Sequence, residues 1–338
     1  MDLNLRDFER AAKRLEGIVH KTELVCSSTF SQMAGGEVWL KCENRQKTGS
    51  FKIRGAANKI GALAERGEVK AVVASSAGNH AQGVAFAAHS HGIPATIVMP
   101  KAAPIAKVQA TEGYGAKVVL YGDCYDEAYA RAMEICEAEG ASAVYQSFRA
   151  GKHMSTKGVS TIADGIAVGN PGEHTVEMIL KYADDMVTVS DNDISAAILL
   201  LMERTKQIVE PSGASSLAAV LAGKVEARDR RTVCLLSGGN IDVSFIHRVI
   251  DQGLVSRHRR MRFTTRMPDA PGKLIEVLQV LAGAGANVLE INHDRLSTAL
   301  GPNEILVHVA CEVGGEEHGR NVVKSLKDAG YRVKVDEE

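Results

Sequence analysis

The stretch that decides the fold runs from residue 71 to residue 100 and reads AVVASSAGNHAQGVAFAAHSHGIPATIVMP. Its first six and last six residues are short apolar runs that predict two strands. Between them, residues 79–91 carry apolar side chains at helical spacing and predict a helix. A strand, a helix and a strand in this order form a βαβ unit whose strands pair in parallel. The stretch therefore predicts an α/β fold.

The same alternation of strands and helices continues on both sides, up to about residue 250. The other strand candidates are residues 38–43, 117–122, 185–190 and 232–237, and the other helix candidates are residues 52–66, 104–114, 124–139 and 213–224. This pattern predicts mostly parallel sheets with helices on both faces. Sheets of this kind bind ligands beyond the carboxyl ends of their strands.

A basic stretch, SRHRRMR at residues 256–262, predicts a linker, and the rhythm changes after it. The remaining residues, 263–338, read as strand, helix, two strands, helix and strand. This βαββαβ order is that of the ferredoxin-like fold. We therefore expect two domains, residues 1–255 and residues 263–338, on either side of the linker.

The composition is that of a globular chain and excludes several kinds of partner. The 338 residues are 45% hydrophobic and 24% charged, which suits about two domains. Forty Lys and Arg residues against 41 Asp and Glu residues leave a net charge of −1, so no overall positive field attracts nucleic acid or an anionic membrane. No signal peptide or membrane span is predicted. Six widely spaced cysteines without a CxxC pair indicate reduced thiols and a cytoplasmic protein.

Two segments place polar groups where a strand passes into a helix. They are KTGSFKIRGA at residues 47–56 and ASSAGNHAQG at residues 74–83. A turn of small residues at a helix N-terminus exposes backbone N–H groups and suits a carboxylate or a phosphate. Each segment alone also has an ordinary interpretation: the turn as a helix cap, and Lys52 as a surface lysine.

No metal site is predicted. His89 and His91 form an HxH pair, but no third ligand follows nearby. His308 and Cys311 are three positions apart on a predicted strand, and their side chains therefore point to opposite faces.

Taken together with three more segments, the two polar segments resemble a known family. The three are TIADG at residues 161–165, VEPSGA at residues 209–214 and LSGGNID at residues 236–242. The set resembles the pyridoxal-phosphate-dependent threonine dehydratase (threonine ammonia-lyase) family, which has the tryptophan-synthase-β-like fold. Residues 269–274 (DAPGKL) and 285–288 (GANV) resemble an ACT regulatory domain. The resemblance covers nearly the whole chain.

The resemblance implies pyridoxal 5′-phosphate as cofactor and a role for each matching residue. Lys52 matches the lysine that carries the cofactor and takes the Cα proton of the substrate. Phe51 matches the residue beside the cofactor ring, and Asn79 matches the amide that binds the ring 3-hydroxyl. Ser237, followed by Gly238, matches the hydroxyl that faces the ring nitrogen. A neutral hydroxyl at that place favours elimination over transamination.

The resemblance also implies the substrate. Ser76, Gly78, Asn79 and His80 match the loop that holds the substrate carboxylate. The implied reaction converts threonine to 2-oxobutanoate and ammonia, and serine to pyruvate. Ala77 stands where serine racemases tend to carry a second hydroxyl, which favours a dehydratase, although serine dehydratase and serine racemase stay as alternatives.

For the C-terminal domain, the resemblance implies regulation by an amino-acid effector. Asp269, Gly272 and Asn287 match the expected effector site, and the effector is isoleucine, valine or another ligand. The alternative is a dimerisation or stability module without a ligand. Because ACT domains usually pair, a homo-oligomer, either a dimer or a tetramer, is expected.

The sequence departs from the family in one large respect. The family carries a run of glycines, of the form GGGGL, that cups the cofactor phosphate, and this chain contains no such run. Residues 143–152 (AVYQSFRAGK) instead join the two flanks directly. The missing stretch corresponds to roughly two βα units of about 30 residues each. The departure supports a second hypothesis, a catalytically impaired remnant that acts through ligand binding or oligomerisation of its C-terminal domain.

Overall fold

The computed structural model describes residues 3–76, 78–101, 103–122, 143–155, 161–166, 171–295, 300–301 and 303–336. The chain forms two compact units, residues 1–247 and residues 248–338. The predicted linker at 256–262 is partly regular structure, since one helix spans Val243–Ser256 and a strand begins at Arg260. Among the described helices, none is long and apolar enough to cross a bilayer.

Short strands alternate with helices in the first unit. The strands are Leu24–Cys26 (β1), Glu37–Lys41 (β2), Val72–Ser75 (β3), Ala95–Met99 (β4), Lys117–Leu120 (β5) and Arg231–Leu235 (β6). The α-helices are Leu5–Leu15 (α1), Ser28–Ala34 (α2), Lys52–Glu65 (α3), Asn79–Ser90 (α4), Ile105–Gly113 (α5), Ala143–Ala150 (α6), Glu173–Tyr182 (α7), Asp191–Leu200 (α8) and Pro211–Leu221 (α9), followed by Val243–Ser256 (α10).

These strands form two small sheets. Strands β3, β4 and β5 pair in parallel in that order, which confirms the βαβ unit predicted from residues 71–100. In the second sheet β2 lies between β1, which is antiparallel to it, and β6, which is parallel to it. The predicted mostly parallel pairing is therefore confirmed for the described strands of the first unit, with β1 as the exception.

One strand prediction is wrong, and one helix prediction cannot be compared with the structure. Residues 185–190 form no strand, although their β-branched alternation is typical of one. A strand needs a partner as well as a pattern. The last residue of the run, Ser190, caps helix α8 through a reciprocal pair of hydrogen bonds with Asp193. The helix predicted at residues 124–139 lies outside the described residues.

Small side chains let helices α3 and α4 pack closely against each other and against strand β4. Ala57, Ala81 and Ala85 are fully buried in the cluster that the two helices share with Ile97. A Cβ on Gly83 would lie 3.1 Å from the backbone nitrogen of Ile53 in the first turn of α3. This close approach brings the N-termini of the two helices together, and the candidate site lies there.

The second unit has the predicted ferredoxin-like order. Its elements are Arg260–Pro268 (β7), Lys273–Gly283 (α11), Asn287–Asp294 (β8), Glu304–Glu312 (β9), Glu316–Asp328 (α12) and Arg332–Val335 (β10). The strands form one antiparallel sheet in the order β10-β7-β9-β8. Phe263, Val307, Leu281 and Leu326 are fully buried between the sheet and the helices. The βαββαβ prediction is confirmed.

Candidate active site

Three segments that are far apart in sequence meet at the N-terminus of helix α3. Ser50 forms an antiparallel bridge with Gly238, and the Phe51 N–H group donates a 3.0 Å hydrogen bond to the carbonyl of Ser237. A Cβ on Gly238 would lie 3.0 Å from Nδ2 of Asn79, at the start of helix α4. The turn after β6 therefore lies between the loop before α3 and the loop before α4.

A chain of hydrogen bonds joins three residues of these segments, Thr48, Asn79 and Asn240, to Glu210 at the start of helix α9, and we call it the amide network. Nδ2 of Asn240 donates to the carbonyl of Thr48 at 2.7 Å and to Oδ1 of Asn79 at 2.8 Å. Nδ2 of Asn79 donates to the two carboxylate oxygens of Glu210 at 2.7 and 2.8 Å. A carbonyl can only accept, so the orientation of Asn240 is determined, and through it that of Asn79.

The amide network holds a buried carboxyl group. Asn79 is 7% exposed and Glu210 is 5% exposed. Seen from Nδ2 of Asn79, the two oxygens of one carboxylate lie close together, whereas the two N–H groups of an amide diverge widely. One N–H group therefore serves both oxygens, and the second is directed elsewhere. The network can present this second donor to a ligand.

Two glycines make the network possible. Gly49 has a φ angle of +69°, and a Cβ there would collide with the side-chain amide of Asn240. A Cβ on Gly238 would collide with the carboxylate of Glu210. Neither position tolerates a side chain without displacing a member of the network.

Lys52, the predicted catalytic lysine, is the first residue of helix α3 and is half-buried. Its backbone N–H group donates to the hydroxyl of Ser50 at 3.3 Å. Phe51 beside it is 40% exposed. The pKa of His80 is lowered, first by the removal of its ring from bulk water and second by the positive charge of Lys52. The side chain of His80 is nevertheless exposed to solvent in part.

A buried ion pair anchors the helix that carries Lys52. Arg54 donates to both carboxylate oxygens of Glu43, at 2.8 and 2.9 Å, and the hydroxyl of Thr22 donates to the same carboxylate. Glu43 is 2% exposed. Burial by itself raises the pKa of Glu43, but the hydrogen bonds from Arg54 and Thr22 outweigh it and the pKa is lowered. The first turn of α3 is thereby fixed to the segment that follows strand β2.

Three buried hydroxyl groups near this site have no hydrogen-bond partner among the described residues. They are the side chains of Thr48, Ser75 and Ser212. Ser75 ends strand β3 just before the loop to α4, and Ser212 lies in the first turn of α9, two residues after Glu210. Buried hydroxyl groups are normally satisfied. Their position indicates a site where these hydroxyl groups can form hydrogen bonds with polar atoms of a ligand.

The residues predicted to bind the substrate lie together. Ser76, Gly78, Asn79 and His80 form the loop and first turn of α4, and the hydroxyl of Ser76 accepts the N–H group of Gly78 at 3.3 Å. Ala77 lies outside the described residues. Ser237 is half-buried on the turn after β6. The predicted cofactor and substrate residues of the first unit thus converge on one place.

The predicted effector residues of the second unit do not converge within one chain. Asp269 forms a bidentate ion pair with Arg295, at 2.7 and 3.0 Å, and the hydrogen bond from Arg295 lowers the pKa of Asp269. Gly272, with a φ angle of +89°, lies in the same turn. Asn287 and Arg260, the first residue of β7, both lie opposite Glu312 of β9. Asp269 follows the last residue of β7, Pro268, which is eight residues or roughly 26 Å along the strand from Arg260. The three residues therefore cannot hold one small ligand in a single chain.

Sequence reasoning missed two residues of the network as functional groups. Glu210 and Asn240 were noted only as parts of the motifs VEPSGA and LSGGNID. A useful signal was present, because an acid directly before a helix-initiating proline and an asparagine after two glycines are both polar groups at turns. Their pairing with Asn79 joins positions 131 and 161 residues apart, and no local pattern reports that.

Comparison with known proteins gives consistent results. A family model described as pyridoxal-phosphate dependent enzyme matches residues 15–140 and 133–238. The chain is 37% identical to an L-threonine ammonia-lyase of Thermotoga maritima over 399 aligned positions, covering 98% of this chain and 99% of that protein. It is 34% identical to a catabolic L-threonine dehydratase of Escherichia coli, covering 72% of this chain and 94% of that one.

Solved structures are similar over the same part of the chain. A serine racemase of Dictyostelium discoideum aligns with a TM-score of 0.62 and 30% identity, covering 71% of this chain and 99% of that one. A threonine deaminase of Solanum lycopersicum aligns with a TM-score of 0.64 and 26% identity, covering 74% and 94%.

Proposed function

The chain belongs to the family of pyridoxal-phosphate-dependent enzymes, and on that premise we propose that it is a threonine ammonia-lyase. The proposed reaction removes the Cα proton and the β-hydroxyl of threonine, the latter as water. The released enamine takes up water and gives 2-oxobutanoate and ammonia, and serine gives pyruvate in the same way. The observation that carries the proposal is the convergence of Lys52, the loop before α4 and the turn after β6 at the N-terminus of helix α3.

The described residues fit pyridoxal phosphate at the ring and at the reactive carbon. Lys52 supplies an amine at the N-terminus of helix α3, and Asn79 keeps one amide N–H group for a ring oxygen. The unpartnered hydroxyl groups of Ser75 and Ser212 could meet further polar atoms. We assign Phe51, Ser237 and Gly238 to the surroundings of the ring.

When bound, the cofactor supplies an electron-withdrawing ring that stabilises negative charge at the substrate Cα. The protein contributes position and proton transfer. In our proposal Lys52 carries the cofactor and then takes the Cα proton, and the backbone N–H groups at the start of α4 bind the substrate carboxylate. The lowered pKa of His80 favours its neutral form, so it adds less positive charge beside that carboxylate.

Dehydration is favoured over racemisation by a single position. Racemisation needs a second group that delivers a proton to the opposite face of Cα. Residue 77, where racemases of this family tend to carry a hydroxyl, is alanine in this sequence. Comparing the products from L-threonine, L-serine and D-serine separates the two activities.

The absent glycine run is the main argument for the rival proposal of an impaired remnant. The alignment with the Thermotoga maritima relative extends over 399 positions, more than the 338 residues of this chain. The family model matches in two pieces that meet at residues 133–140. Both observations support an internal segment that the relatives have and this chain lacks. Weak phosphate binding would then reduce cofactor affinity.

We further propose that residues 263–338 form an ACT domain that regulates a homo-oligomer in response to an amino acid. The confirmed βαββαβ order and the near-complete coverage of the Thermotoga maritima relative support this assignment. Because Asp269 and Asn287 are far apart in one chain, an effector that touches both would have to lie between two chains. Unpaired cysteines among the described residues, at positions 26, 42, 234 and 311, favour a cytoplasmic location.

The experiment that tests the proposal is a titration of the purified chain with pyridoxal phosphate, followed by visible absorbance, and then an assay of 2-oxobutanoate after addition of threonine. We expect a protein-bound cofactor band and oxo-acid production. Lys52→Ala should abolish the band and lower the rate by about 1000-fold or more. Lys59→Ala, an exposed lysine on the same helix, is the matched control and should change neither.

Two results would reject parts of the proposal. A cofactor band without any oxo acid from threonine or serine would favour the impaired remnant. A folded chain without a band, identical in the wild type and in Lys52→Ala, would reject the assignment of Lys52.

A further inference from the structure

The second unit carries a groove of about 780 Å³ whose lining residues all belong to that unit. It lies where strand β7 begins and strand β10 ends, along one face of helix α12. Met261, Val313 and Val323 contribute apolar surface to it. Its size is within the usual range of small-molecule sites, roughly 300 to 1,000 Å³.

A glycine in the middle of helix α12 leaves room in this groove. A Cβ on Gly319 would meet only the sulfur of Met261 and a methyl group of Val313, both at an ordinary contact distance of 3.7 Å. Glycine is unfavourable inside a helix, and nothing at this position excludes a larger residue. The effect of the glycine is to keep the apolar surface beneath it open.

Cationic side chains surround the apolar surface. They are Arg260, Arg262, Arg320, Lys324 and Lys327, and the acidic side chains beside them are Glu316, Asp328 and Asp336. Within helix α12, Arg320 lies 3.9 Å from Glu316 and Lys324 lies 3.1 Å from Asp328. Arg260 pairs with Asp251 at 2.8 Å. Within the described ranges of the chain, the side chains of Arg262 and Lys327 form no ion pair. Met261 and Phe263 face the helices, so the side chain of Arg262 between them points to the other face of the sheet, and Lys327 is the unpaired cation on the helix side.

The groove is separate from the residues expected to bind an amino-acid effector. None of Asp269, Gly272 and Asn287 lines it. Asp269 follows the far end of strand β7, roughly 26 Å from Arg260. Asn287 lies on strand β8, at the opposite edge of the sheet from β10.

We propose that this groove binds an organic anion with an apolar body, of the class of aliphatic or aromatic carboxylates and sulfonates. The apolar body lies against Met261, Val313 and Val323, and the anionic group lies beside Lys327 on helix α12. The unpaired Lys327, and the excess of three cations over two acids among the α12 residues that line the groove, favour an anion over a neutral or zwitterionic molecule. The open floor at Gly319 favours a ligand larger than an inorganic ion. The inference rests on the second unit alone and does not depend on the proposed reaction.

The test uses the full chain saturated with pyridoxal phosphate and the fluorescent probe 8-anilinonaphthalene-1-sulfonate. Wild-type protein should show saturable fluorescence that octanoate displaces and octylammonium does not. Lys327→Glu removes the charge match, and Gly319→Leu fills the floor. Each should weaken the saturable component at least tenfold. Arg332→Glu, an exposed charge reversal on strand β10 outside the groove, should leave it unchanged.

Two outcomes would overturn the inference. Equal probe binding in all four proteins would place the probe elsewhere on the chain. Weakening in Lys327→Glu but not in Gly319→Leu would indicate attraction to a basic surface without a binding groove. Melting temperatures of all variants, measured without the probe, distinguish loss of the groove from loss of the fold.

Discussion

Replacing the amide of Asn79 by a carboxylate tests whether the amide network is assembled as the structure shows. In Asn79→Asp, an oxygen takes the place of Nδ2, which lies 2.7 and 2.8 Å from the oxygens of Glu210. Two buried carboxyl groups at this distance resist ionising together, so the second ionisation of the pair is shifted to higher pH and its apparent pKa is raised.

The magnitude follows from the geometry. Two unit charges about 4 Å apart repel by about 4 kcal/mol at an effective dielectric constant of about 20. We therefore expect Asn79→Asp to lose about 3 to 4 kcal/mol at pH 8, or roughly 10 °C in Tm for a unit of this size. Because the folded pKa of the pair is raised, the loss is absent below the unfolded value near 4 and grows as pH rises through the folded value.

The assay is thermal unfolding of the cofactor-free chain at pH 5 and pH 8. The double variant Asn79→Asp with Glu210→Gln is the control. It again pairs one carboxylate with one amide, but residue 210 is now the donor and residue 79 the acceptor. It should regain most of the lost Tm at pH 8 while still binding the cofactor weakly, because the free N–H group of Asn79 is gone. A deficit equal at both pH values, or a double variant as unstable as Asn79→Asp, would refute the network.

Three further predictions concern the same site. Arg54→Met removes the bidentate partner of the buried carboxylate of Glu43, which keeps the Thr22 hydroxyl and Lys41 at 3.8 Å, and should cost about 3 kcal/mol in urea unfolding at pH 7; since the folded pKa of Glu43 is lowered, the deficit should shrink as pH falls through that value, below 4.5. An NMR titration should place the pKa of His80 below 6.5 and, because burial remains when the charge is removed, Lys52→Met should restore it only partly; an unchanged midpoint would contradict the proximity of the two residues. Gly238→Ala should lower stability by about 1 to 3 kcal/mol and weaken cofactor binding, because its methyl group would collide with the carboxylate of the amide network; wild-type affinity would show that the turn can shift freely.

Much of the fold follows from local pattern. The βαβ unit at residues 71–100 and the six elements of the second unit each carry their own periodicity, and the structure confirms both. The strand predicted at 185–190 is wrong because a pattern cannot show that a strand has a partner. Asp269 and Asn287 both lie in motifs that resemble an ACT domain. The register of strands β7, β8 and β9 nevertheless places them at opposite ends of the sheet.

By itself, the sequence determined the α/β class, the ferredoxin-like second unit and the motif residues around Lys52, because these depend on neighbours within a few positions. Only the tertiary structure decided that Glu210 and Asn240 hold Asn79, and that an apolar groove with an unpaired lysine lies beside helix α12. The physical reason is that hydrogen bonds and cavities depend on distance in space. Chain folding brings residue 79 to within 2.8 Å of residues 210 and 240, and no spacing along the chain encodes that distance.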